Sequence, residues 1–431
     1  MQTRDDDYPL DPDISLTTTH APGGELSLAE TPPGSPRHWS WLWQIDYRAH
    51  RGPRQPRIDI HAGGRHLVTH YLENGEQGRR WLNLTGIDDW HGLVVHPLHC
   101  SLASQGTLHG FSRAKLDDGP VLFVAPHPDD AELAGYGLYR RNAERTWIVT
   151  LSAGETLKRL DKQYWPALDT APAAARRRKG WIRAWNSATT PLLAGIPPER
   201  LVMLGYFNDT LAALTADVTS DAASPESSLR PSDFRCWNRM ALPTDAGATN
   251  DGAGLVADLA FLVDAIRPAT VVVTHPEVDP HRDHIAAARA SALALRRAGH
   301  TPRRVLLYAN HLRGHRGFPP GPAHAGASIW PGHYPQSAFG GWRFYSEVLD
   351  AEVQREKAVS LDTMHDLRTR TSPEKRFKRL IAETVRGTRG KRYGDHDYFR
   401  SHVRCQEPFI EVSGTAFVNA LTSGEDAGPA D

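Results

Sequence analysis

The chain is short of three things. It has 3 cysteines in 431 residues (Cys100, Cys236 and Cys405), too few and too scattered for a disulfide framework or a CxxC metal knuckle. It has no excess charge: 50 basic residues stand against 50 acidic ones, which argues against a broad electrostatic partner such as nucleic acid or an anionic membrane. It has no apolar run near the ~18 residues that a membrane span needs. The start, Met1-Gln2-Thr3-Arg4-Asp5-Asp6-Asp7, is acidic without an apolar stretch, so no signal peptide is expected. These absences lead us to expect a soluble, cytoplasmic protein of roughly two to three domains. What the chain has in quantity is tryptophan, 12 residues, and histidine, 22, and both need a place.

Residues 1–24 are polar and rich in Pro and Gly, and read as a loosely ordered lead. From Trp39 the texture changes. Trp39, Trp41, Trp43, Ile45 and Tyr47 share one parity, the period-two signature of a half-buried strand with an aromatic face. Further short strands are expected at 57–61, 66–72, 80–84 and 92–97, punctuated by Gly63-Gly64 and Asn74-Gly75 turns. This predicts a small β-sandwich over 25–115, with tryptophans filling its core in preference to forming a sugar-stacking platform.

Residues 116–421 read as one α/β domain. Continuous apolar runs at 120–125, 146–151, 201–204, 270–274 and 304–309 alternate with helical stretches at 131–143, 176–193, 253–266 and 284–298. That alternation predicts a Rossmann-like, mostly parallel sheet with helices on both faces. Two irregular stretches interrupt it: 215–250, read as a flexible insertion, and 311–342, read as a substrate-covering loop. The basic run at 375–391 reads as a solvated helix face, since aromatics are sparse there, and 422–431 as a disordered tail.

Two dense clusters sit where such a sheet binds ligands, directly after buried strands. One is Pro126-His127-Pro128-Asp129-Asp130-Ala131-Glu132; the other runs from His275 through His281-Arg282-Asp283-His284. A zinc-type ion wants imidazole and carboxylate ligands, and a hydrolytic site keeps one position for water. His127, Asp130 and His284 make such a set, with Asp129, Asp283 and His281 left beside it as non-ligands.

These motifs resemble those of the PIG-L/LmbE-like N-acetylglucosaminyl deacetylases, over about residues 119–310 and more weakly to about 410. The resemblance implies a Rossmann-like, zinc-dependent amidase with one Zn2+ per chain held by His127, Asp130 and His284. It implies Asp129 as general base. It makes His281 the group that stabilises or protonates the tetrahedral intermediate, with Asp283 orienting its ring and keeping it cationic. The partner it implies is an N-acetylated amino-sugar conjugate, with no nucleic acid and no membrane span; a homo-oligomer is left open. Asp209, in the Leu204–Asp209 turn, would hold a sugar hydroxyl, and Arg178 a hydroxyl or phosphate. The chain departs from the family where Ala153 replaces an aspartate, where Ala134-Gly135-Tyr136-Gly137 replaces Gly-Cys-Gly-Gly, and where Arg177-Arg178-Lys179-Gly180 lacks a glutamate. These departures bear on the acceptor sugar. The other readings are a metal-dependent hydrolase of a non-sugar N-acyl compound or of a phosphoester, and a sugar-binding protein with a vestigial site.

Overall fold

A computed structural model describes the chain except for residues 158–170, 220, 222–227, 316, 368–371, 389, 391–392, 394–396 and 424–431. A helix at Gly414–Thr422 reaches into the expected tail, most of which lies outside the described residues. The chain forms two compact units. The first is Met1–Ala114 with Gly314–Ala358 and Thr369–Glu411; the second is Lys115–Arg313 with Val359–Arg368 and Val412–Asp431. The sequence suggested one boundary near 115; the chain instead returns to the first unit twice.

The first unit begins with β1 (Gln2–Thr3), β2 (Ile14–His20), β3 (Leu26–Leu28), β4 (Trp39–Ala49), β5 (Arg57–Ala62), β6 (Arg65–Tyr71), β7 (Glu76–Asn83), β8 (Leu93–Leu98) and β9 (Cys100–Ser112). They form a six-stranded sheet, β1-β7-β4-β9-β2-β3, and a three-stranded one, β6-β5-β8. Trp41, Trp43, Ile45 and Leu108 of the larger sheet share a core with Ile58, Ile60 and Val95 of the smaller. Residues 1–24 are therefore not a loose lead. They supply two strands, and Thr18 is fixed in the core by the indole N–H of Trp43, which donates to its Oγ1 at 2.9 Å. The polar composition misled because these strands alternate Ser and Thr outward with Leu16 and Thr18 inward.

Where a substrate-covering loop was expected over 311–342, described residues of that stretch pack on the amino-terminal segment of the first unit. Tyr8 Oη donates to the carbonyl of Trp330 at 2.6 Å, Trp342 is fully buried, and Trp342 N–H donates to Pro9 O at 2.7 Å. His70 illustrates the tightness of this core. Its ring donates through Nε2 to Asn83 O at 2.9 Å, and burial lowers its pKa to about 4. A histidine held neutral stabilises the fold fully above its ordinary 6.5, and that stability is lost as pH falls toward 4. Chemical denaturation at pH 7 and pH 4.5 should show the wild type losing about 2–3 kcal/mol more than His70→Gln. Equal losses would refute a buried neutral ring.

The second unit contains β10 (Val121–Ala125), β11 (Thr146–Ser152), β12 (Leu201–Tyr206), β13 (Thr270–Thr274) and β14 (Arg304–Tyr308), all parallel to their neighbours in the order β12-β11-β10-β13-β14. Its described helices include α1 (Asp130–Arg141), α2 (Pro172–Thr189), α3 (Leu211–Ala216), α4 (Gly252–Ile266) and α5 (Arg282–Arg297). β10 and β13 are buried at every position, which is why their sequences are unbroken apolar runs. Winding runs outward from β10 on one side and from β13 on the other. The crevice at their carboxyl ends is thus the topological switch point, where open α/β sheets bind ligands.

The stretch 215–250 is not wholly an insertion. Phe234 is fully buried and packs with Phe207 and Ala184, and Arg235 ion-pairs with buried Asp258 at 2.8 Å. After the second unit the chain forms β15 (Arg343–Val348), α6 (Ala351–Thr363), α7 (Pro373–Arg386) and β16 (Gln406–Ser413), with β15 and β16 antiparallel. Among the described residues, no helix is long and apolar enough to cross a membrane.

Candidate active site and metal centre

The two histidine–aspartate clusters meet because their strands are neighbours. Phe123 of β10 lies opposite Val272 of β13, so both turns leave the sheet side by side. In the first turn, His127 N–H donates to Asp130 Oδ2 at 2.9 Å, folding the loop back as α1 begins, with Asp129 at its N-cap. In the second, His281 caps α5, its Nδ1 accepting the backbone N–H of Asp283 at 3.2 Å.

His127 Nδ1, Asp130 Oδ2 and His284 Nε2 form a nearly equilateral triangle with edges of 3.2, 3.3 and 3.3 Å. Tetrahedral zinc with ligands at ~2.0–2.1 Å requires edges of about 3.3–3.4 Å. The far side of each imidazole is also held. His284 Nδ1 lies 2.8 Å from buried Asp279 Oδ2, and His127 Nε2 lies 3.2 Å from Asp283 Oδ2. A carboxylate behind each histidine fixes the tautomer that offers the other nitrogen to a metal. His127, His281 and Asp283 also come within ligand reach of one another. That set shares His127, and its half-buried His281 already spends Nδ1 as a cap. The donor set His127, Asp130 and His284 therefore fits one divalent ion.

The electrostatics match that chemistry. Burial lowers the His284 pKa, but Asp130 and Asp279 overcome it and lift it to about 10. Burial would raise the Asp130 carboxyl, yet His284 and His127 hold it well below its ordinary value. Both effects show a site that is negative enough to retain a cation in its interior.

Asp129 stands beside this triangle without belonging to it. Burial raises its carboxyl, against the pull of Arg183, and adjacent Asp130 raises it further. Arg183 Nη2 donates to Asp129 Oδ1 at 3.1 Å, while Nη1 donates to Asp366 Oδ2 at 2.7 Å. Arg183 reaches Asp129 across Gly154, whose φ is +62° and whose missing Cβ would stand 2.7 Å from the guanidinium carbon. This explains the glycine of the Ser152-Ala153-Gly154-Glu155 turn. Buried Glu155 accepts the Asn208 N–H at 3.2 Å, and burial pushes its carboxyl up to about 7.

Two expectations about the second cluster are corrected. The Asp283 carboxylate lies against His127 Nε2 and the backbone N–H of Asp209 (2.7 Å), so only its own backbone N–H meets the His281 ring. The upward pull of Asp283 on His281 is outweighed: burial first, then the positive His284 and His127, lower its pKa. With Nδ1 occupied as an acceptor, the neutral ring carries its proton on Nε2.

Asp209 is exposed beside the site, at φ +63°, and Arg178 lies half-buried on α2. The arginine of α2 that enters the centre is Arg183, which the sequence reading missed. Also missed were Asp279, Asp366, Asn310, whose Nδ2 donates to Asp130 Oδ1 at 2.8 Å, and His311, whose ring stands 4.8 Å from that of His284. Asp279 lies inside the second cluster, so its proximity was visible. The other four come from remote segments with no motif of their own.

Fold and site together define the class: an open parallel α/β protein carrying, at its switch point, the residue inventory of metal-assisted hydrolysis. Residues 122–295 match the model of the PIG-L family, described as GlcNAc-PI de-N-acetylase. No curated protein matches the chain. Among solved structures it is similar to the A40926 pseudoaglycone deacetylase Dbv21, at 17% identity and a TM-score of 0.35, covering 69% of this chain and 98% of that one. It is similar to the N,N'-diacetylchitobiose deacetylase of Pyrococcus horikoshii, at 14% identity and 0.34, covering 69% and 85%. It is also similar to the 4-carboxy-2-hydroxymuconate hydratase GalB of Pseudomonas putida KT2440, at 16% and 0.29, covering 68% and 94%.

Proposed function

We propose that the protein is a zinc-dependent N-deacetylase that releases acetate from an N-acetylamino sugar in a glycoconjugate. The carrying observation is the triangle of His127, Asp130 and His284 with a carboxylate behind each imidazole and Asp129 beside it. A divalent ion held there would polarise an acyl oxygen and lower the pKa of a water toward ~7.

The chain's own residues do the rest. Asp129, with Oδ1 held by Arg183, takes the water proton on Oδ2 as the water oxygen adds to the acetamide carbon. His281 offers Nε2–H to the oxygen that becomes negative, as a neutral donor whose ring is held by the cap on Nδ1. Asp129 then passes its proton to the amide nitrogen, the C–N bond breaks, and acetate and the free amine leave. Asp209 is the residue we assign to a sugar hydroxyl, and Arg178 to a more distant hydroxyl or phosphate. The three free cysteines suit the reducing cytoplasm in which we place the protein.

The test is free-amine release across N-acetylated sugars, with and without lipid or nucleotide aglycones, alongside metal analysis. We expect about one zinc per chain, as three ligands make one site, and amine release abolished by chelation and restored by zinc. Metal-free protein that zinc does not activate on any N-acetyl sugar would overturn the reading.

A further inference from the structure

In the first unit, one helix turns its amphipathic pattern the wrong way round for a packed protein. α7 has the sequence PEKRFKRLIAETVR. At 100° per residue, Phe377, Leu380, Ile381, Thr384 and Val385 fall on one arc, with Glu374 of the first turn among them, and Lys375, Arg379, Ala382, Glu383 and Arg386 on the opposite one. A surface helix ordinarily buries the first arc. Here Phe377, Ile381 and Val385 are 63%, 49% and 50% exposed. The side chains of Arg379 and Glu383, 3.8 Å apart, are only 26% and 22% exposed. These two, with Ala382 and Arg386, line a polar cavity of about 700 Å³ shared with Arg4 and Glu73. The Gln55 N–H donates to Arg386 O at 2.9 Å, tying the carboxyl end of α7 to the unit. The middle of the charged arc, Arg379, Ala382 and Glu383, is therefore the half-buried part, while the apolar arc, half-buried Leu380 apart, faces out.

The charges around that arc indicate what covers it. Exposed Arg376 and Lys378 border it on either side, Lys378 pairing with Glu374, and exposed Lys375 adds a further cation at the amino end; α7 as a whole has five basic residues against two acidic ones in a chain with no net charge. We propose that α7 docks the protein on an anionic lipid surface, lying in the membrane plane with Phe377, Ile381 and Val385 in the headgroup–acyl boundary. An apolar arc flanked by long basic side chains is the composition of such interfacial helices. A handful of side chains falls well short of the ~800 Å² per partner that a stable protein interface buries. The neutral overall charge excluded a broad electrostatic partner; it does not exclude a local one. The inference stands apart from the deacetylase reading, and each is tested by its own readout.

The experiment is co-sedimentation of the full chain with phosphatidylcholine vesicles, pure or equimolar with phosphatidylglycerol. Binding is expected to the anionic vesicles only, and to weaken as salt shortens the screening length. Phe377→Asp/Ile381→Asp should reduce the partition coefficient at least tenfold, through lost apolar burial. Arg376→Gln/Lys378→Gln should reduce it about 30-fold, given the attraction of each basic residue to an anionic leaflet. All four positions are exposed, so both variants should keep the wild-type unfolding midpoint and amine release from a water-soluble N-acetyl sugar. Absence of anionic-vesicle binding overturns the proposal, as does equal binding to neutral vesicles. So does a wild-type dimer that Phe377→Asp/Ile381→Asp disperses without any vesicle binding, which would make this face an interface between copies.

Discussion

Asparagine in place of Asp129 should lower kcat about a thousandfold, within the range that loss of a positioned general base produces. The substitution is nearly isosteric, and the new amide oxygen can still accept the Arg183 hydrogen bond now made at 3.1 Å. The triangle of His127, Asp130 and His284 is untouched, so bound zinc should stay at the wild-type level and KM should change little. That combination separates a lost base from a collapsed site. If Asp129→Asn turned over normally, the proton would have to go elsewhere, and Glu155 is another buried carboxyl of raised pKa in this unit.

Alanine in place of His284 should remove both zinc and activity, and should also unfold the protein more easily. The ring is fully buried and bridges Asp279 at 2.8 Å and Asp130 at 3.3 Å. Removing it leaves buried Asp279 without its cation and Asp130 with His127 as its remaining one, a loss of about 3–5 kcal/mol. Chelation of the wild type should be milder, because the same ion pairs hold the turn together without zinc. The sign with pH follows from the raised pKa of about 10. The contribution of His284 is complete below 6.5 and disappears as pH rises through 10. Unfolding midpoints of chelated wild type and His284→Ala should therefore be far apart at pH 6 and converge toward pH 10. Parallel curves would show that His284 is not cationic in the metal-free fold.

The parts of the site visible in the sequence were those written on one short segment. The clusters after β10 and β13 could be read because a buried strand announces itself as an apolar run, and its carboxyl end is where such sheets bind. The direction of the Asp283 side chain could not. A residue in the first turn of a helix aims its carboxylate according to the neighbouring turn, here His127 and Asp209, which no spacing rule encodes. Arg183 was hidden among the arginines of α2, since only tertiary packing distinguishes the one that crosses Gly154. Of the fold, the parallel sheet was legible from its alternation with helices. The Tyr8, Trp330 and Trp342 contacts were not, because they join segments more than 300 residues apart.

That return of the chain has a consequence for synthesis. When residue 114 leaves the ribosome, the sheet that contains β4 still lacks Trp330, Trp342 and Ser346, which satisfy Tyr8, Pro9 and Asn83. At about 5–20 residues per second, the wait is on the order of 10–40 seconds before Gly314 onward arrives. During that interval the unmatched aromatic face is an aggregation hazard in the nascent protein, and a holdase acting on residues 1–114 would raise yield more than one acting on the completed chain.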